Sequence, residues 1–134
     1  MMLLLDTHVI LWFDQRSSRL GRRSKSAIQT AIHNETCFVP AVAFFEIGYG
    51  MEKRRIRLGD TVARFRLRLL DLGINEIPLD GAIAVDAAEL TWNHRDPVDR
   101  FIVATARVNS LKLVTADTII LDWTGKVARL DATS

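Results

Sequence analysis

Asp6, Glu46, Asp99 and Asp117 are the acids of this 134-residue chain whose settings suit chemistry better than ordinary surface charge. Asp6 closes the apolar run Met2-Leu3-Leu4-Leu5, and Asp117 follows Leu113-Val114-Thr115-Ala116 in much the same way. Glu46 lies in an apolar segment with Val42, Phe44, Phe45 and Ile47. Glutamate is almost never fully buried alone, so it must face a polar cavity, pair with arginine or hold a metal. Asp99 belongs to Asp96-Pro97-Val98-Asp99-Arg100, the start of a helix, where the N-terminus tolerates anions. Four carboxylates meeting in one place would repel and raise one another's pKa values unless a cation were bound. With no Cys or His at metal-ligand spacing, hard oxygen ligands point to Mg²⁺ or Mn²⁺, which can activate water and stabilise the leaving oxygen of a phosphodiester. The plainer role for Asp6 is to cap the following helix.

Such a convergence needs elements that bring residues 6, 46, 99 and 117 together. A short continuous apolar run reads as a strand buried on both faces, so residues 2–5 form a strand and Thr7 onward a helix. Further strands are expected at 37–39, ended by Pro40, at 74–77, at 111–115 and at 127–130. Helices are expected from Ser24, with Ala27, Ile28, Ala31 and Ile32 inward, and from Ala41 to about Lys53. Others should run from Gly59-Asp60, with Val62, Phe65, Leu69 and Leu72 on one face, from Asp80 to Trp92, and from about Val98 to Val108 with Pro97 in its first turn. Strands alternating with helices give an α/β fold: a central parallel sheet of four to five short strands with helices on both faces. Ligands bind at the carboxyl ends of such strands, where Asp6 and Asp117 fall. No linker or repeat divides the chain, and residues 1–134 are expected to form a single domain.

Apolar residues make up 49% and charged residues 25%, the balance of a folded globular protein. The single Cys37 excludes a disulfide framework and a cysteine-based metal site. The N-terminal apolar run, interrupted by Asp6 and lacking a basic flank, supports neither a secretion signal nor a membrane span, so a cytoplasmic protein is expected. Net charge is only +2, yet twelve of eighteen basic residues, most of them arginine, lie in two windows, 16–25 and 53–68. Arginine's planar fork suits phosphate, so a polyanionic partner is expected, with Arg19, Arg22, Arg23, Lys53, Arg54 and Arg55 as candidate contacts. The bland alternative is a set of solvated faces.

LLLDTH at 3–8, FFEI at 44–47, HRDPVDRFIVATA at 94–106 and LVTAD at 113–117 together resemble the four acidic motifs of PIN-domain ribonucleases, in particular the VapC-type toxins of prokaryotic toxin–antitoxin operons. The resemblance spans nearly the whole chain in the family's order. It implies a PIN-like fold in which Asp6, Glu46, Asp99 and Asp117 surround Mg²⁺, with Mn²⁺ as a possible substitute, Asp6 and Asp99 being the most direct ligands. It implies hydrolysis of RNA by metal-activated water, a homodimer, and neutralisation by a VapB-like antitoxin whose tail reaches the acidic pocket. Thr7 and Thr115 flank two of the acids and either hydrogen-bond them or a metal-bound water or simply pack, Asp96 is expected to cap or support, and Arg100 either orients a carboxylate, meets the scissile phosphate or is structural. His8 and His94 match no catalytic position of the family and are expected to be structural. The chain departs from the family in having Pro40 and Ala43 where small hydroxyl residues often precede the second acid.

Two other readings compete. A strand ending in Asp also opens the haloacid-dehalogenase phosphatases, but those carry a second Asp two residues on, where this chain has His8. A catalytically inactive PIN-like domain that binds nucleic acid or a partner would be expected to have lost an acid, and none of the four is missing.

Overall fold

A computed structural model describes all of residues 1–134. Five strands, β1 (Leu3–Leu5), β2 (Cys37–Pro40), β3 (Asn75–Ile77), β4 (Lys112–Thr115) and β5 (Arg129–Asp131), form one sheet in the order β3-β2-β1-β4-β5. Every pairing is parallel. Seven helices join them: α1 (Thr7–Asp14), α2 (Arg22–His33), α3 (Val42–Glu52), α4 (Val62–Asp71), α5 (Gly81–Glu89), α6 (Pro97–Val108) and α7 (Thr118–Leu121). None is long and apolar enough to cross a membrane.

The central strand explains the apolar run. Leu3, Leu4 and Leu5 have no exposed surface. Strand side chains alternate, so Leu3 and Leu5 enter a core with Ile10, Ile28, Ile47, Phe65 and Leu69 from α1 to α4. Leu4 points the other way, to Ile102, Val103 and Ala106 of α6. Helix α5 packs chiefly on α6, its Ile83 and Ala87 against Ala104, with Ile77 of β3 beside them.

The chain moves outward from β1 to β2 and β3, then crosses back to lay β4 on the other side of β1. That reversal opens a crevice at the carboxyl ends of β1 and β4, the place where parallel sheets take their ligands.

Several boundaries differ from expectation. Helix α2 starts at Arg22 rather than at Ser24, because Gly21 occupies the cap position and Ser24 turns inward, its hydroxyl donating to the Asp131 carbonyl at 3.0 Å. Only glycine fits at 21, where a Cβ would stand 2.0 Å from the Ser134 carbonyl oxygen. Helix α4 is capped by Thr61, whose hydroxyl accepts from Arg64 N–H, and Leu72 at its end is 50% exposed rather than buried. Pro40 lies within β2, and the four-residue α7 is too short to leave a periodic pattern in the sequence.

Candidate active site

Asp6 leaves β1 as the N-cap of α1. One carboxylate oxygen accepts from Thr7 N–H at 2.7 Å; the other accepts from the Thr115 hydroxyl, also at 2.7 Å. Thr115 Oγ1 in turn accepts from Asp117 N–H at 3.1 Å, so one β4 hydroxyl ties both strand-end acids together. Asp117 caps α7, accepting from Ile119 N–H at 2.8 Å. Capping and site-building therefore coexist at Asp6 and at Asp117.

Asp99 reaches the same crevice from α6. Asp96 is the N-cap, accepting from Val98 N–H at 2.9 Å, and Pro97 at the first helical position is preset for helix. Asp99 follows in the first turn, 8% exposed, with Oδ2 2.6 Å from His94 Nε2. Glu46 comes from α3. Asp6, Glu46, Asp96, Asp99 and Asp117, with His8, Trp12 and Ala116, line a pocket of about 300 Å³. All four acids singled out in the sequence meet there, with Asp96 as a fifth.

No lysine or arginine forms an ion pair with any of the five. Burial pushes the Asp99 carboxyl up to about 7, Asp6, Asp96 and Asp117 adding repulsion while the His94 contact opposes it. Burial raises Asp6 too, against the stabilising bonds from Thr115 and Thr7. Glu46 is raised by burial and by Asp6 and Asp96; the Thr7 hydroxyl and His8 pull it down. That hydroxyl is buried without a partner of good hydrogen-bond geometry, yet it faces Glu46 and supplies the polar neighbour that Pro40 and Ala43 cannot.

Arg100 makes the contacts of its structural alternative, and His94 stands beside an acid. Arg100 touches no carboxylate. Its guanidinium donates to the carbonyls of Ala87, Leu90, Trp92 and His94 at 2.7–3.3 Å, gripping the segment between α5 and α6. His94, expected to be structural, is carried by that segment onto Asp99, its ring 4.8 Å from Trp92. Its spacing from Asp99 signalled nothing because the intervening chain is a loop up to Asp96, shaped by Arg100. Ligand atoms of His94, Asp96 and Asp99 lie within 4.8 Å of one another, so a cluster able to hold a metal includes an imidazole nitrogen.

The basic candidates divide. Arg19, Arg22 and Arg23 are exposed, and neither they nor Lys53, Arg54 and Arg55 form ion pairs. Of the six, Arg55 lines a second cavity that shares His8, Glu46 and Asp96 with the acidic pocket. In the same windows, Arg66 and Arg68 are occupied by Glu76 and by Asp14 and Asp60.

The donor set fits a divalent cation. Five carboxylates and an imidazole without a basic counter-ion, in a pocket where burial and then repulsion between acids raise Asp6, Glu46 and Asp99, are the groups such an ion would neutralise.

Comparison with known proteins agrees with this geometry. Residues 3–125 match the family model described as "PIN domain". Ribonuclease VapC22 of Mycobacterium tuberculosis is 31% identical over 115 residues, 85% of each chain. Among solved structures, a VapBC2 complex of Rickettsia felis bound to a promoter DNA fragment superposes with a TM-score of 0.70 at 14% identity, covering 97% of this chain and 98% of that one. FitAcB of Neisseria gonorrhoeae gives 0.64 at 24% identity with 98% of both chains covered. The family model and the curated relative, over a sheet whose switch point gathers five acids, establish that the chain belongs to the PIN-domain family.

Proposed function

We propose that the protein is a metal-dependent endoribonuclease hydrolysing RNA phosphodiesters, and that it is the toxin of a toxin–antitoxin pair. The observation that carries the enzymatic reading is the pocket of five carboxylates with no lysine or arginine counter-ion at the carboxyl end of β1 and β4. A polyanionic substrate would be repelled from it unless a cation entered too. Asp6, Glu46, Asp99 and Asp117 are the proposed catalytic acids and ligands of Mg²⁺, with Mn²⁺ as a substitute. Asp96, Thr7 and Thr115 hold them in place, and His94 supports Asp99. When bound, the cation supplies Lewis acidity toward the phosphate and eases ionisation of the attacking water.

The chain's residues do the rest. Thr115 Oγ1 and Thr7 N–H fix both oxygens of Asp6, so it offers a preset lone-pair direction. Arg100 anchors the segment that brings His94 to Asp99 and leaves the phosphate to other groups. Arg19, Arg22, Arg23, Lys53, Arg54 and Arg55 are proposed to meet the RNA backbone, giving affinity that falls with salt.

The relative's name, Ribonuclease VapC22, supports the substrate class, and the toxin–antitoxin complexes among the structural neighbours support a VapB-like antitoxin partner. A homodimer of this chain, each copy acting as one domain over residues 1–134, completes the proposal. Purified protein should cut total cellular RNA with Mg²⁺ or Mn²⁺ and stop with EDTA, and Asp6→Asn and Asp99→Asn should both be silent. Equal inactivity of wild type and variants, with RNA or partner binding intact, would replace the enzyme by a binding module.

A further inference from the structure

Helix α3 carries Glu46 into the acidic pocket and, one residue earlier, presents Phe45 to solvent. Phe45 is 64% exposed and Tyr49, one turn on, is 48% exposed. Their rings are stacked, with centroids 5.9 Å apart and planes within 18°. Lys53, another turn on, places Nζ 5.4 Å from the Tyr49 ring centre. Phe45 belongs to an apolar stretch of sequence, yet the structure leaves it as the outer end of an aromatic ridge.

The chain is shaped to bring cations to this ridge. After α3 it turns back at Arg54, whose φ of 58° lies in the left-handed region, and the N–H groups of Arg55 and Ile56 both donate to the Gly50 carbonyl. The return passes so close that a Cβ at Gly50 would stand 2.5 Å from Ile56 Cδ1. Arg55 is thereby set at a cavity of about 380 Å³ bounded by Phe45, Tyr49, Glu46, His8 and Asp96. Three of those residues also line the acidic pocket.

We propose that this ridge and cavity form a subsite for an unpaired nucleotide of the RNA next to the bond that is cut, its base stacking on Phe45 and Tyr49 and its phosphate facing Arg55 and Lys53. The proposal deepens the ribonuclease reading and rests on it. Parallel exposed rings beside cations are what single-stranded nucleic acid uses, because every base has a π-face and every linkage a negative charge. Lys53, Arg54 and Arg55 have no acidic partner within the chain, which favours an anionic occupant over a basic peptide or a second copy of the same basic face.

The test uses a short single-stranded RNA carrying 2-aminopurine, whose fluorescence falls when the base stacks. Asp99→Asn protein with Mg²⁺ should quench it on binding, and the added pair Phe45→Ala and Tyr49→Ala should abolish the quench. In the otherwise wild-type enzyme that pair should raise KM about tenfold with kcat within about twofold, a loss of the size expected for stacking, and Tyr49→Trp should retain wild-type KM. Circular dichroism and a melting curve establish that the double variant folds. Unchanged quench and KM would overturn the subsite. So would a double variant whose only loss is self-association or antitoxin binding, which would make the ridge a protein interface. If wild type cuts no RNA, the ribonuclease reading fails, while the quench, which needs no cleavage, still decides whether the ridge stacks bases.

Discussion

The acidic pocket and the arginine face of α4 are both dense in charge, and they treat it in opposite ways. On α4, Arg66 donates to both oxygens of Glu76 at 2.6 and 3.0 Å, and Arg68 bridges Asp14 and Asp60 at 3.1–3.2 Å. There the protein balances its own charges and ties α4 to β3 and α1. In the pocket, five carboxylates gather with only His94 in a charged-type contact. Charges satisfied inside the chain serve the scaffold; charges left unbalanced in a crevice await something from outside.

The sharpest break in this comparison is expected from Asp99→Asn. It should lower cleavage by roughly a hundredfold or more, as loss of a group that acts only in the reacting complex does, while the variant stays folded. A lysine at 100 comes next. An ammonium cannot span four carbonyls as the guanidinium does, so Arg100→Lys should cost about 2–4 kcal/mol in denaturant unfolding and loosen His94. Loss of activity without loss of stability would make Arg100 a substrate contact instead.

The pH dependence follows from Asp99. Its folded value, about 7, lies above the ordinary 3.8, so the folded state holds a proton that the unfolded chain releases. Stability of the metal-free protein should therefore fall as pH rises from about 4 to 7 and flatten above. Melting curves in EDTA should show a decline of roughly 10–15 °C across that window, an estimate scaled from typical unfolding entropies. Asp99→Asn should shrink the decline, leaving the part that Asp6 and Glu46 contribute, and Mg²⁺ should restore the wild type at pH 8. The smallest effect belongs to the other region. Arg68→Ala should lower the melting temperature slightly, since its partners are partly solvated, and leave cleavage unchanged.

The parts of the site legible in the sequence were those fixed by local pattern. An acid ending an apolar run marks a strand end whatever follows, so pattern alone places Asp6 and Asp117 at one sheet edge. Glu46 was visible because its neighbours on α3 are apolar. What depends on distant chain was not legible. His94 reaches Asp99 through a loop whose shape is set by Arg100 reaching back to carbonyls from Ala87 to His94, and no periodicity encodes that. Composition could count arginines in 53–68 but could not divide Arg66 and Arg68, held by acids from other elements, from Lys53, Arg54 and Arg55, which are not. Phe45 and Val85 count as apolar in a sequence, yet both are more than half exposed, because each lies on the face of its helix away from the core.

The start of α6 packs three duties into four residues: Asp96 caps, Pro97 presets the first turn, and Asp99 enters the pocket. The segment is consequently less forgiving of length than of composition. One residue inserted between Asp96 and Asp99 would swing the latter's side chain about 100° around the helix axis, carrying it out of the crevice even with every original residue still in the chain. Across related sequences, insertions and deletions should accordingly collect before His94 or after Val108 and spare the span between the cap and Asp99.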